Sequence, residues 1–361
     1  MDTRALTDDP ALEAARTAGL RYVDDAMPGI RRMGPRTRPR YVDETGRAIR
    51  DRTTLERIRA LAIPPAWREV WICATPHGHV QATGRDARGR KQYRYHASWV
   101  RIRQQDKHER SIAFGAALPA LRRALRRSLS IRGFPKEKVV AMVVAVMAAT
   151  LVRVGNAEYA TRNRSYGLTT LRNRHLQAVR GGHLRFQFRG KSGKQQDVVL
   201  TDARLSQLVR RCQQLPGQPL FQYLDEEGDC QPVESTDVND WLRETMGSDF
   251  SAKDFRTWGA TAMAFRALAM TPLPLKHDGT PGPESVLAAL EADIVAQVAT
   301  VLGNTRAICR KSYIDPRLFT AWREGRLEAA ARGATGVRQW EAATLRFLRA
   351  EQRRVRQRAR G

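Results

Sequence analysis

The stretch Lys136-Glu-Lys-Val-Val-Ala-Met-Val-Val-Ala-Val-Met-Ala-Ala-Thr-Leu-Val152 separates two kinds of sequence. From Val139 to Val152 it carries no charge, yet it is shorter than the roughly 20 residues a helix needs to span a membrane, so it reads as a buried core helix. Just upstream, Ile112 to Leu129 alternates apolar and arginine faces, and the helical pattern starts near Asp106. Before about residue 100 the signals differ. Arg40-Tyr41-Val42, Glu69 to Ala74 and His79 to Ala82 read as strands between Pro and Gly clusters, with one short helix from Thr53 to Ala62 stopped by Pro64-Pro65. The expected fold is α+β: a small β-rich N-terminal domain over 1–102, a larger mainly α domain over 103–335, and a C-terminal helix with a basic tail over 336–361.

Within the helical part, Leu184-Arg-Phe-Gln-Phe-Arg189 alternates apolar and polar residues, Gly190-Lys-Ser-Gly-Lys194 turns, and Asp197-Val-Val-Leu200 returns, a short β-hairpin with a basic tip. Helices are expected over Asp202 to Cys212, Thr236 to Met246 and Ser251 to Met270, followed by a surface loop from Thr271 to Pro283. A further helix from Ser285 to Leu302 closes on Gly303 at the C′ position. The last helix runs into Arg353 to Arg360, read as a solvated, frayed tail.

A formal net charge of +26 over 361 residues points to a polyanionic partner. The N-terminus is acidic where a signal peptide would be basic, so an intracellular protein is expected. Cys73, Cys212, Cys230 and Cys309 lie far apart with no CxxC pair, and are expected to be reduced structural thiols. Only nine of the 63 basic residues are lysines. Arginine is effectively never deprotonated, so a proton-transfer role falls to one of those few or to another titratable group.

Five segments could carry chemistry. In Gly84 to His96, Tyr93 and Tyr95 share one strand face and Arg94 and His96 the other; this suits a nucleic-acid groove, and equally an ordinary basic hairpin with two core tyrosines. In Leu151-Val-Arg-Val-Gly-Asn-Ala-Glu-Tyr159, Arg153 leaves an apolar helix, where burial favours an anion or a structural carboxylate as its partner. Gly190-Lys191-Ser192 echoes the end of a phosphate-binding loop, but position 185 is Arg and the order is strand, turn, strand, which argues against an ATP site. Lys253 to Gly259 opens a helix with Arg256 in its first turn, where an anion would meet backbone N–H groups and a guanidinium. Leu302 to Pro316 places Tyr313 beside Arg310 and Lys311; alone, such a tyrosine is as well read as a packed phenol.

Taken in order, two arginines, a hairpin lysine, a polar residue nine positions before a tyrosine, and that tyrosine resemble the poxvirus-like and bacterial type IB DNA topoisomerases. Gly89-Arg-Lys-Gln-Tyr93, Asp254-Phe-Arg-Thr-Trp-Gly259 and Gly303 to Tyr313 carry the likeness, which covers nearly the whole chain. The resemblance implies Arg153, Lys191 and Arg256 as catalytic cations, Tyr313 as nucleophile, and DNA contacts from Arg90, Lys91, Tyr93, Tyr95 and Tyr159 and from Lys194 at the hairpin tip. The viral pattern has histidine where this chain has Asn304, whose amide can still donate to a phosphate oxygen without bringing charge.

What the resemblance implies is a bacterial monomer that clamps duplex DNA, independent of membranes. Tyr313 would cut one strand through a 3′-phosphotyrosyl bond, the strand would swivel, and resealing would need no ATP, metal or other cofactor. Lys191 would protonate the leaving 5′-oxygen, with Lys194 as the competing candidate. A tyrosine recombinase shares this constellation, but the β-rich N-terminal part with Gly89 to His96 argues against it. A non-catalytic architectural DNA-binding protein would give no reason for Lys191 and Tyr313.

Overall fold

The computed structural model describes residues 10–358 except 36, 88, 248 and 249; at 10, 11, 104–106, 159 and 358 only the backbone is described. The chain forms two compact units, Met1–His108 and Glu109–Gly361.

The first unit contains α1 (Pro10–Thr17), β1 (Gly29–Met33), β2 (Arg40–Val42), α2 (Arg52–Ala60), β3 (Arg68–Cys73), β4 (Val80–Arg85) and β5 (Lys91–Tyr95). Its strands form one antiparallel sheet ordered β2-β1-β3-β4-β5. Ile30, Val70, Ile72 and Ala82 pack with Ile58 of α2, while Val23, Trp71, Cys73 and Val80 form a second cluster. The sequence reading placed β2 to β5 and α2 but missed β1. That strand buries only Ile30, and its Arg31 and Arg32 break the apolar alternation. Arg32 is used instead as a strut, donating to the carbonyls of Pro64 and Trp67 at 3.2 and 2.5 Å.

Helix α3 (Ala97–Leu129) begins in the first unit and ends in the second, starting well before Asp106. After a first turn that buries Trp99, Arg101-Ile-Arg-Gln-Gln-Asp-Lys-His-Glu-Arg110 is polar nearly all round, so periodicity offers no continuous stripe to detect. Then follow α4 (Lys136–Thr150), α5 (Ala157–Asn163), β6 (Leu176–Ala178), β7 (Leu184–Arg189), β8 (Gln195–Leu200), α6 (Ala203–Gln213), β9 (Gln222–Leu224), β10 (Cys230–Pro232) and α7 (Ser235–Met246). The chain continues through α8 (Ala252–Ala269), α9 (Glu284–Leu302), α10 (Arg306–Ser312), α11 (Arg317–Arg323), α12 (Leu327–Ala331) and α13 (Val337–Arg358). As expected, α4 is a core helix: Val139, Val140, Met142, Val143, Val144, Val146 and Met147 are all buried among α6, α7, α8 and β8. The expected hairpin is β7–β8, extended by β6 into three strands, with Leu184, Phe186, Phe188 and Leu200 facing the core.

By length and composition α9 is apolar enough to cross a membrane. Here it packs against α8 and α10, burying Leu287, Ile294, Val298 and Leu302. The expected basic tail is solvated at Arg353, Arg356 and Gln357 but not frayed there: α13 stays helical to Arg358, its buried Glu351 takes Arg326 and, at 3.4 Å, Arg354, and 359–361 lie outside the described residues. All four cysteines are free thiols, three of them buried.

Candidate active site

At the end of α4, Leu151 adopts a left-handed conformation with φ +56°. A branched residue there is strained by about 1–2 kcal/mol, and packing holds it in place. The side chain lies on Gly259 of α8, where a Cβ would sit 2.6 Å from Leu151 Cδ2. The turn presents the Leu151 carbonyl to Nη1 of Arg256, while Nη2 donates to the carbonyl of Leu302 at 2.7 Å. These carbonyls close α4 and α9, so one guanidinium, 5% exposed, satisfies two helix C-termini whose dipoles favour a cation.

Contrary to expectation, the helix N-terminus beside Arg256 is not open to an anion. The start of α8 is closed by its own Asp254, which accepts from the Ser251 N–H at 2.8 Å and from Arg110 at 2.9 and 3.0 Å. Asn239 Oδ1 accepts the Ala252 N–H at 3.1 Å. Arg256 lies one turn further in, and its guanidinium is 5.3 Å from the centre of the Tyr313 ring.

Tyr313 is placed by the turn that follows α9. Gly303, at φ +61°, ends that helix in the left-handed region, as a C′ glycine does. The Asn304 N–H returns to Ala299 O at 3.0 Å, and Thr305 caps α10 by accepting the Ile308 N–H at 3.3 Å. Tyr313 ends α10 with its N–H on Cys309 O at 3.0 Å; its carbonyl accepts from Thr261 Oγ1 of α8 at 3.0 Å, and that hydroxyl accepts the Asp315 N–H at 3.2 Å. Arg153 donates to Asn304 Oδ1 at 2.6 Å.

Burial pushes the Tyr313 phenol up, but the charge and hydrogen-bonding reach of Arg256, then Arg153 and the Asn304 amide, outweigh it and hold the phenol below the usual tyrosine range. Among the described residues, two buried donors on these same side chains, Arg256 Nε and Asn304 Nδ2, have no acceptor in good hydrogen-bond geometry. Buried donors are seldom left so, because each costs about 1–3 kcal/mol. A half-buried phenol held below its usual range, beside cations and an amide donor, has the surroundings to attack an electrophile whose oxygens those donors hold.

The structure thus brings together Arg153, Arg256, Asn304 and Tyr313. Lys191 and Lys194 do not join them: both are exposed at the β7–β8 tip, where Gly190 N–H closes on Lys194 O at 2.8 Å. In the first unit, Tyr93 and Tyr95 are 44% and 43% exposed, stacked with centroids 5.7 Å apart. They are a surface face and not core residues. Arg94, on the opposite side, donates to Ala62 O at 2.8 Å and lies over Trp67. Arg90 pairs with Asp86 and Lys91 with Asp25, each at 2.7 Å. The side chain of Tyr159 lies outside the described residues.

Sequence reasoning missed Thr261, which ties the Tyr313 turn to α8. It also missed Glu291, 2% exposed on α9, which takes Arg310 of α10 and Arg323 of α11 at 2.6 Å each. Neither has a sequence signature. The capping role of Asp254 does have one, Ser251-x-x-Asp254.

The helical unit gathers Tyr313, Arg153, Arg256 and Asn304, and the first unit separately carries an exposed strand of basic and aromatic residues. Comparison with known proteins sharpens the class. Residues 96–323 match the family described as eukaryotic DNA topoisomerase I, catalytic core, and residues 39–86 match the bacterial DNA topoisomerase IB N-terminal domain. The chain is 33% identical over 264 residues to DNA topoisomerase 1B of Acanthamoeba polyphaga mimivirus, covering 72% of this chain and 77% of that protein. The chain belongs to the type IB DNA topoisomerases, an isomerase family.

Proposed function

We propose that the chain relaxes supercoiled duplex DNA by transient cleavage of one strand through Tyr313. The phenolic oxygen forms a bond to a backbone phosphorus and the bond to the 5′-oxygen breaks. Lys191 gives that oxygen its proton, and the phenol's own proton passes to solvent. Charge building on the non-bridging oxygens falls to Arg153, Arg256 and the Asn304 amide, donors held in place before the substrate arrives. The phosphotyrosyl bond keeps the energy of the phosphodiester, so after the free end swivels the reverse attack reseals the strand without ATP. The exposed strand of Arg90, Lys91, Tyr93 and Tyr95 engages the same duplex, with Tyr159 and Lys194 as further contacts, so that a monomer clamps the DNA in a bacterial cytoplasm.

The observation that carries this reading is the convergence of Arg153, Arg256 and Asn304 on Tyr313, with Arg256 Nε and Asn304 Nδ2 lacking an acceptor in good geometry among the described residues. The test is relaxation of supercoiled plasmid in EDTA without ATP, read together with capture of an SDS-resistant protein–DNA adduct. Both activities are expected for the natural chain, and neither relaxation nor adduct for Tyr313→Phe, which should still bind DNA. A wild-type level of adduct in that variant would remove Tyr313 from the mechanism.

A further inference from the structure

The hairpin tip and the Asn304 turn share one neighbour. Gln196 sits in β8 opposite Phe188 of β7. A Cβ at Gly190 would lie 2.8 Å from Gln196 Cγ, and a Cβ at Gly303 would lie 2.6 Å from Oε1 and 2.7 Å from Nε2. The stem of this side chain therefore rests on the main chain of Gly190 and its amide on the main chain of Gly303. Nε2 is steadied by the Gln195 carbonyl at 3.1 Å. Gly190 directly precedes Lys191, and Gly303 directly precedes Asn304. Lys191, Ser192, Lys194 and Gln195 around the tip are exposed.

We propose that Gln196 is a positioning residue that braces the Lys191 turn against the Gly303–Asn304 turn, setting the general acid in register with the nucleophile. The two glycines make the contact possible, because any side chain at either would displace the glutamine. The geometry also explains why an exposed hairpin could serve a step that tolerates little misplacement, where an error of about 1 Å costs roughly 10²-fold. The inference rests on Lys191 being the acid, and the test separates the two.

Single-turnover cleavage is measured for Gln196→Ala, Gln196→Met and Lys191→Ala on an ordinary duplex and on one whose 5′ bridging oxygen is sulfur, a leaving group that hardly needs a proton. Gln196→Ala should cleave the ordinary duplex about 10-fold slower and the sulfur duplex at nearly the natural rate, following Lys191→Ala at smaller amplitude. Gln196→Met, whose unbranched stem fills the same groove, should recover most of the ordinary rate, and it carries the test if the alanine variant does not fold. Rescue of Lys191→Ala with Gln196→Ala equally slow on both duplexes overturns this inference alone. A Gln196→Ala rate equal to the natural one on both does the same. No rescue of Lys191→Ala overturns the acid assignment and this inference with it.

Discussion

The groups gathered at Tyr313 come from positions 153, 256 and 304 and are held by one another and by main-chain carbonyls; those of β5 and the residue before it are sequence neighbours held by half-buried carboxylates. The contrast is between buried cations held by main-chain carbonyls and surface cations held in ion pairs. Arg256 is buried, and its carbonyl partners cannot be traded for solvent without leaving unsatisfied groups behind. Arg90 and Lys91 sit in exposed ion pairs, of a kind worth about 0–1 kcal/mol, which a phosphate can replace at little cost. Substitutions in the first region should therefore change rates, and those in the second should change affinity and its dependence on salt.

Tyr313→Phe should have the largest effect, with no detectable adduct. Next comes Arg256→Ala, expected to slow cleavage by about 10²–10³-fold, as loss of a preorganised donor does. This variant also breaks the comparison in a way that pH reads out. In the natural chain Arg256 is the strongest influence opposing burial at the phenol. Cleavage of the sulfur-bridged duplex, which bypasses the lysine, should rise with pH and level off below the ordinary tyrosine value of about 10. A lowered phenol pKa makes the phenolate available at lower pH, so removing Arg256 should move the plateau upward. An unmoved plateau would mean that the guanidinium holds the fold and not the phenol.

Thr261→Val keeps the shape of the core but removes the hydroxyl that links the Tyr313 carbonyl to the Asp315 N–H. A loss of about 1–3 kcal/mol in urea unfolding is expected. Cleavage should fall by about 10-fold, with affinity for DNA unchanged, because the nucleophile and not the DNA-facing surface is displaced. In contrast, Tyr93→Ala and Tyr95→Ala should each weaken DNA binding by roughly 2- to 10-fold, the worth of about one hydrogen bond. The cleavage rate at saturating enzyme should stay as it was. A fall in that rate would show that the strand shapes the reaction as well as the encounter.

What the sequence disclosed divides along the same line. The β5 face was legible because a strand shows its two faces in consecutive letters, and the alternation of Tyr93 and Tyr95 against Arg94 survives in the structure. The tyrosine, both arginines and Asn304 were legible as motifs, but their contacts were not. That Arg256 would bind Leu151 and Leu302 depends on a left-handed leucine and a helix end brought together only by folding. Thr261, Glu291 and Gln196 are ordinary residues in ordinary elements, and each matters for what lies across the gap. β1 was missed because it is arginine-rich and buries a single residue, with Arg32 held by carbonyls, and the early start of α3 because a long polar run follows its buried Trp99.

The smallest expected effect tests whether the ion pairs of the first unit are a reserve of DNA contacts. Asp25 accepts Lys91 and also Thr83 Oγ1, at 3.0 Å. The hydrogen bond from Lys91 is the main influence holding its carboxyl below the usual carboxylate range. Because that pKa is depressed, the pair's contribution to stability is present above the ordinary aspartate pKa of about 3.9 and is lost only as pH falls through the lower folded value. At neutral pH, then, Lys91 is shared with a full negative charge. Asp25→Asn removes the charge while its side-chain oxygen can still accept from Thr83. If Lys91 is held in reserve, this variant should bind duplex DNA about 2- to 5-fold more tightly at low salt, in keeping with the small worth of an exposed pair. The slope of log K against log salt should steepen by about 0.9, the signature of one more neutralised phosphate. Tighter binding with an unchanged slope would mean that only the repulsion of Asp25 had been relieved. Weaker binding would mean that Asp25 aims Lys91 at the duplex, and the β5 face would then be preorganised in the manner of the Tyr313 pocket.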